Sequence, residues 1–593
     1  MMRILRTGLA TLALAGAASV LGIRADRCGP CLLARFWPVP ADDWQRIGPP
    51  TFPESAQLAI RGDLGVAFSG GGTRSASASL GQLRGLQRNG WLKQHVRYIS
   101  AVSGGGWAAV PFTFSKLLDT DLLGQPLDPS QIDRQTVAST ANGAMALAIA
   151  NSSLAASGVR EAAAILSKQF LPKNIDDLLA QVLALAGQAR REPQRLNKTY
   201  ARMLGGVFID PIVEPGTPAS TRLFSWDDAT VAEMNARNPG GLPGNIVTAA
   251  LDRPFLIVSG TMMSARSDYG YPLLMPVEYT PLYTGVRQSF GGRFGGSYVW
   301  SWAYDTREVG QTDGDFVQVR RDADRVFSLA DVVASTGAAP QLLLVIGEGF
   351  PANVKTAVQR SAGAFPYFTH FSVRGGGGAP LLTSELPHGD GGFGDNLGVA
   401  PLLARQVHNV LAFINASTPY FQSDDDLRAL FFPVGPPDAG GDKTHSKVFD
   451  EAAYSELIRG FEQQRTAGKP LVYCGTNWNV HANAHFNVRQ YSGLNICWFY
   501  NGPAPAWQAA LKEPVRALVT GHDQTSDGKN FDDFPWFRTF GQNKPHVIQL
   551  TKAQVNLLSN LTEWIVSNDD TVQMIRRALS EPLRAPAATE PAR

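Results

Sequence analysis

The spacing of apolar positions changes period several times along the chain, and each change predicts an element. Leu64-Gly65-Val66-Ala67-Phe68 is a short, unbroken apolar run, as expected of a strand covered on both faces. It ends in Ser69-Gly70-Gly71-Gly72, after which Leu80, Leu83 and Leu86 recur at helical spacing as far as Gly90. A second unit of the same kind follows. Residues 96 to 102 read as a strand, Ser103-Gly104-Gly105-Gly106 as a sharp turn, and 107 to 118 as a helix interrupted near Pro111. Strand-like runs return at 255–259, 341–346 and 410–414 between helical stretches, which predicts an α/β fold, a sheet with helices on its faces. From about 120 to 205 the pattern is a largely helical insertion, with Ile175, Leu178, Leu179, Val182 and Leu185 on one face. So apolar an insertion suits a lid or lipid-facing cap, and equally suits ordinary helix packing. Val555, Leu558, Leu561 and Ile565 predict an amphipathic helix, which Ser567-Asn568-Asp569-Asp570 separates from a short last one.

The N-terminal part of the chain lacks this regularity. Arg3 and Arg6 precede an apolar run from 7 to 23, so residues 1–25 read as a signal peptide or a membrane anchor, with a buried helix as the third possibility. The chain is therefore expected to be exported or membrane-anchored. Pro38, Pro40, Pro49, Pro50 and Pro53 make residues 26–60 an extended linker leading to a domain over 61–593.

Composition narrows the function classes only a little. At 593 residues and 44% hydrophobic the chain can bury a large core. Its 53 Lys and Arg against 51 Asp and Glu leave a formal charge of +2, so no charge excess points to nucleic acid as a partner. Four cysteines allow pairing as Cys28–Cys31 and Cys474–Cys497, although sequence leaves the connectivity open. Cys28-Gly29-Pro30-Cys31 matches a thioredoxin-type motif but follows no strand, and the Cys and His spacing fits no zinc site, so no metal or cofactor is expected.

Three segments carry candidate chemistry. Ala101-Val102-Ser103-Gly104-Gly105 is a variant nucleophile elbow, in which small residues let the chain turn sharply and lift the Ser103 hydroxyl clear of its neighbours. Alone, it also fits a plain turn. The Gly70-Gly71-Gly72 loop opens a helix in the same way, so backbone N–H groups and the helix dipole can face one anion. A nucleotide-binding loop is the competing reading, but neither Lys-Ser/Thr nor a G-x-G-x-x-G pattern is present. Arg74, just inside that helix, can meet a lipid phosphate or serve a structural ion pair. His388-Gly389-Asp390-Gly391-Gly392 sets a carboxylate between glycines, either as a turn residue or as a general base for a serine; only Asp390 and Asp395 are available for a calcium loop, which needs more.

Taken together and in this order, these segments resemble the catalytic domain of cytosolic phospholipase A2 and fungal phospholipase B, a relative of the patatin fold. Ser69-Gly70-Gly71-Gly72-Thr73-Arg74 resembles the family's oxyanion motif, Ser100-Ala101-Val102-Ser103-Gly104-Gly105-Gly106-Trp107 its nucleophile motif, and Asp390-Gly391-Gly392 with Asn396 and Pro401-Leu402-Leu403 its catalytic-Asp motif. Weaker matches are Val277-Glu278-Tyr279-Thr280-Pro281 with Gly285, and Ala334-Ser335-Thr336-Gly337-Ala338-Ala339-Pro340. The resemblance spans about 64–417. It implies a mixed sheet flanked by helices and a Ser103–Asp390 dyad without a catalytic histidine. It also implies an oxyanion hole from Gly71 and Gly72, Arg74 as the phosphate contact, and a phospholipid or lysophospholipid substrate met at a membrane surface. Gly106 departs from the Ser or Thr common before the Trp, and the N-terminal segment is too short for a calcium-binding C2 domain. Two other readings stay open. One is a Ser-His-Asp hydrolase using His388, His408, His445, His481 or His485. The other is a catalytically dead lipid-binding module.

Overall fold

Both strand–glycine–helix units form, and they form the centre of the molecule. The structure, a computed structural model, describes residues 31–579 except 156–197, 265–272, 342–364, 374–379, 434–444, 539–549 and shorter gaps of one to four residues. In chain order the sheet elements are β1 (Leu32–Pro38), β2 (Leu64–Phe68), β3 (Val96–Val102), β4 (Phe255–Met263), β5 (Leu274–Tyr279), β6 (Tyr283–Phe290) and β7 (Phe294–Trp300). They continue with β8 (Glu308–Asp313), β9 (Phe316–Arg320), β10 (Tyr367–Phe368), β11 (Leu386–Asp390), β12 (Asn409–Ile414), β13 (Val472–Val480) and β14 (Tyr491–Tyr500). The strand order is β8-β9-β1-β7-β6-β5-β4-β3-β2-β12-β14-β13, with β11 also on β4 and β10 on β11. The central strands β4, β3, β2, β12 and β14 run parallel to one another, and the flanking strands are antiparallel. The fold is thus the expected α/β class, a mixed sheet flanked by helices. Every residue of β2, β4 and β12 is buried, which is why these strands read as continuous apolar runs.

Helix α1 (Gly72–Arg88) leaves β2, and α2 (Gly104–Phe114) leaves β3. Pro111 does not interrupt α2: the helix runs through it to Phe114, with every residue buried, so packing on all sides holds it despite the missing amide. The C-terminal amphipathic pattern forms α4 (Lys552–Ser567), preceded in the chain by α3 (Leu329–Thr336). Leu80, Leu83 and Leu86 are fully buried, and Arg84 and Glu563 form a buried ion pair at 2.7 Å that ties α1 to α4.

Two further expectations change. The proline-rich stretch includes β1, which pairs with β9 through Leu32–Arg35 and with β7 through Phe36–Pro38. Beyond β1, Asp43, Phe52 and Glu54 are buried against the body of the fold. Export or membrane anchoring through the N-terminal run does not stand. No helix among the described residues is long and apolar enough to cross a membrane. A spanning helix needs about 20 apolar residues, and α1 has 17, packed into the core. Residues 7–23, and with them the expected Cys28–Cys31 pair, lie outside or partly outside the described residues. Cys474 and Cys497 are disulfide-bonded across the β13–β14 pair. Of the helical insertion, Ala144–Ala155 and Thr199–Phe208 are helical and pack on each other. Its run from Ile175 to Leu185 lies outside the described residues, as does the expected strand at 341–346 beyond Gln341.

Candidate active site

Strand β4 acts as a ruler for the site. One of its edges is taken by β5, so β3 and β11 lie end to end along the other. Val102 at the end of β3 pairs with Ser259, and Asp390 at the end of β11 pairs with the next residue, Gly260. Ser103, one step beyond β3, therefore meets Asp390: the Ser103 hydroxyl donates to Asp390 Oδ2 at 2.8 Å. The two residues are 287 positions apart in the chain.

The Ser103 backbone is unusual. Its φ of 51° and ψ of −122° are a conformation that L-residues seldom adopt outside functional turns. A defined partner holds it: the Ser103 amide donates to Thr336 Oγ1 at 2.8 Å, and that hydroxyl donates to Ser259 O at 2.6 Å.

Asp390 is buried, and burial raises its pKa to about 7. The Gly392 amide, donating to Oδ1 at 2.8 Å, and the Ser103 hydroxyl pull the other way, while the nearby Asp426 carboxylate pushes it up further. The Asp390 carbonyl accepts from Thr261 Oγ1 at 2.8 Å, which fastens the strand end as well as the side chain. Five residues on, Asp395 takes three amides, those of Leu397, Gly398 and Ala400, and so shapes the turn after Asp390. Burial nonetheless lifts its pKa to about 6.

The glycine loop lies against this pair. The Gly70 amide donates to Asn396 O at 2.8 Å, which links the loop to the segment following Asp390. Gly71, the residue before α1, has φ 133°, a value open to glycine but costly for a residue with a Cβ. The Gly71 and Gly72 amides have no acceptor among the described residues, as expected at the start of a helix. Arg74 is buried; its Nε donates to Asn415 O at 3.0 Å and its Nη1 to Phe537 O at 3.2 Å. Its Nη2 faces Gly71, where an added Cβ would stand 2.4 Å away. Burial lowers the Arg74 pKa to about 10, against the pull of Tyr500, Asp533 and Asp426, so the side chain stays charged at neutral pH.

No histidine bonds to Ser103 or Asp390 among the described residues. His388 is buried, with Nδ1 donating to Leu386 O at 2.9 Å and Nε2 accepting from the Tyr304 hydroxyl at 2.8 Å. That tautomer follows because burial drops its pKa to about 4 and leaves the ring neutral. His408 faces Asp63, His481 bonds to Asp450, and His445 stacks on His485.

Several residues at the site carried no chemical signal in the sequence. Thr336 stands in a segment that is only a weaker match to the family pattern. Asn396 was visible as part of a motif, but its amide donates to Asp426 Oδ2 at 2.6 Å, and nothing near Asp426 in the chain announces it.

Comparison with known proteins yields fold neighbours only. No family model matches the chain, and no curated protein does. Among solved structures, the human GIVD cytosolic phospholipase A2 is similar at 14% identity and a TM-score of 0.41, over 89% of this chain and 62% of that one. The same human enzyme in complex with methyl gamma-linolenyl fluorophosphonate is similar at 13% identity and a TM-score of 0.36, over 91% and 63%. The chain therefore spans less than two thirds of the length of these neighbours. Likenesses this loose carry no chemistry.

Proposed function

We propose that this protein is a serine acyl hydrolase acting on fatty-acyl esters of phospholipid or lysophospholipid type. The observation that carries the proposal is the 2.8 Å bond from the Ser103 hydroxyl to a buried Asp390 whose pKa stands at about 7. A general base works best with a pKa near the working pH, and desolvation supplies that here without a histidine. Asp390 takes the Ser103 proton as Oγ bonds to the ester carbonyl carbon. The carbonyl oxygen becomes an oxyanion facing the amides of Gly71 and Gly72, and each such donor, fixed in advance, lowers the barrier by about 3–4 kcal/mol. The Ser103 amide is committed to Thr336 and is not one of these donors. Collapse breaks the ester C–O bond, and the leaving alcohol takes the proton back from Asp390. A water, deprotonated by the same carboxylate, then releases the fatty acid from Ser103 and restores its hydroxyl proton.

The phosphate-bearing substrate class draws its support from Arg74, a cation beside Gly71 with a planar fork of donors, and from the three motifs in their order. The test is mass spectrometry of products from defined diacyl and lysophospholipids, with Ser103→Ala as the control. Fatty acid released by the wild type and lost in the variant is the expected result. Equal release by both would remove Ser103 from the reaction.

A further inference from the structure

Thr336, the last residue of α3, touches both halves of the site and the strand that aligns them. Its hydroxyl accepts the Ser103 amide at 2.8 Å and donates to Ser259 O at 2.6 Å. These directions are unambiguous, since an amide can only donate and a carbonyl only accept. Its own carbonyl accepts the amide of Gly391, the residue after Asp390, at 3.3 Å. Ser259 is the residue of β4 paired with Val102, and its neighbour Gly260 is paired with Asp390. Thr336 is fully buried, so water cannot replace its hydroxyl without a rearrangement.

Ser103 sits at a positive φ, and such a conformation persists only where its surroundings over-determine it. The hydrogen bond from its amide to Thr336 is the one side-chain anchor on that backbone among the described residues, and removing it frees the elbow to relax away from Asp390. We propose that Thr336 is the positioning residue of the site, fastening the nucleophile elbow through its hydroxyl and the loop of the general base through its carbonyl, so that α3 sets the Ser103–Asp390 contact. This rests on the reading of Ser103 as nucleophile and Asp390 as base.

The two roles of Thr336 separate by substitution. Thr336→Val keeps the volume and the carbonyl but deletes the hydroxyl; Thr336→Ser keeps the hydroxyl and loses a methyl. In the full-length protein, Thr336→Val should lower kcat about 10- to 100-fold, the scale of a small misplacement of reacting groups, with KM little changed. Fluorophosphonate labelling of Ser103 should slow in parallel. The acid limb of kcat/KM should move to higher pH, because a weakened Ser103 bond no longer holds the Asp390 pKa down, whereas a loss of folded protein alone would scale activity at every pH. Thr336→Ser should stay within about 3-fold of wild type.

Equal losses in the Val and Ser variants would overturn the proposal in favour of packing, and so would an unchanged labelling rate in Thr336→Val. Hydrogen exchange of the wild-type Ser103 amide decides the matter even where the Val variant does not fold: strong protection is expected, and exchange at the rate of an open loop would overturn the anchor. Wild-type protein that is not labelled at Ser103 would instead overturn the nucleophile reading itself, and a wild type that labels while Thr336→Val labels equally fast overturns Thr336 alone.

Discussion

The ionisation state in which Asp390 can act as a base is the one that the fold disfavours. Its pKa is near 7 in the folded protein, against about 3.9 in an unfolded chain. Between those values the folded state binds more protons than the unfolded one, so this group makes stability fall as pH rises from about 4 to about 7. The activity should run the opposite way, with kcat/KM falling below about pH 7 as Asp390 protonates. Asp390→Asn should thus abolish turnover yet unfold at a higher temperature than wild type at pH 8, with the advantage shrinking toward pH 4; paired activity and thermal-melt profiles check both signs. His388→Gln should cost turnover little, since both ring nitrogens are engaged by Leu386 and Tyr304 away from the serine; a loss of orders of magnitude with the fold intact would put a histidine in the mechanism. Arg74→Ala should reduce phospholipid turnover more than that of an uncharged ester, because only the former offers a phosphate to the guanidinium. Equal losses would assign Arg74 to holding the carbonyls of Asn415 and Phe537 in place.

The helix behind the glycine loop is held by a close crossing with α4. A Cβ placed on Gly81 of α1 would stand 1.9 Å from the Ser559 carbonyl oxygen of α4, so that glycine permits the approach. Gly81→Ala should push the helices apart and destabilise the protein by about 1–3 kcal/mol, the usual range for overpacking, as read from chemical denaturation. Because α1 begins at the Gly71–Gly72 amides, turnover should fall too, with kcat more affected than KM. The apolar spacing of α1 and α4 was legible from sequence, as were β2, β3 and the elbow between β3 and α2, since each is a local pattern. The crossing point was not, because one glycine in a helix names no partner.

Over the whole molecule, the stretch that reads as a linker is stapled into the core by buried ions. Arg405 bonds to Glu54 at 2.9 Å and to Glu278 at 2.8 Å, and the Tyr283 and Tyr298 hydroxyls complete the network. Phe52 lies between the guanidinium groups of Arg287 and Arg405, 3.8 and 3.9 Å from its ring centre. Burial pushes the Glu278 carboxyl up, but Arg405, the Tyr298 hydroxyl and Arg287 together hold it below its ordinary range, so this contribution is present at neutral pH and lost on acidification. Arg405→Met should cost about 3–5 kcal/mol, because it strands two buried carboxylates, with the loss largest at neutral pH and smaller in acid. A denaturation midpoint unchanged at pH 7 would show the network to be dispensable.

What the sequence determined by itself was local: the apolar runs, the glycine turns that end them, the α/β class, and Ser103, Asp390, Gly71, Gly72 and Arg74 as the residues to examine. Each of those signals lies within a few residues of the group it marks. Tertiary structure decided that β11 continues the line of β3 along β4, that Thr336 receives the Ser103 amide from 233 positions away, and that Asp426 stands behind Asn396. It also decided that a proline-rich stretch includes a strand between β7 and β9. Strand pairing and buried hydrogen bonds join residues hundreds of positions apart, and their geometry depends on which edges are left open once the sheet has formed, a quantity that no local pattern of residues records.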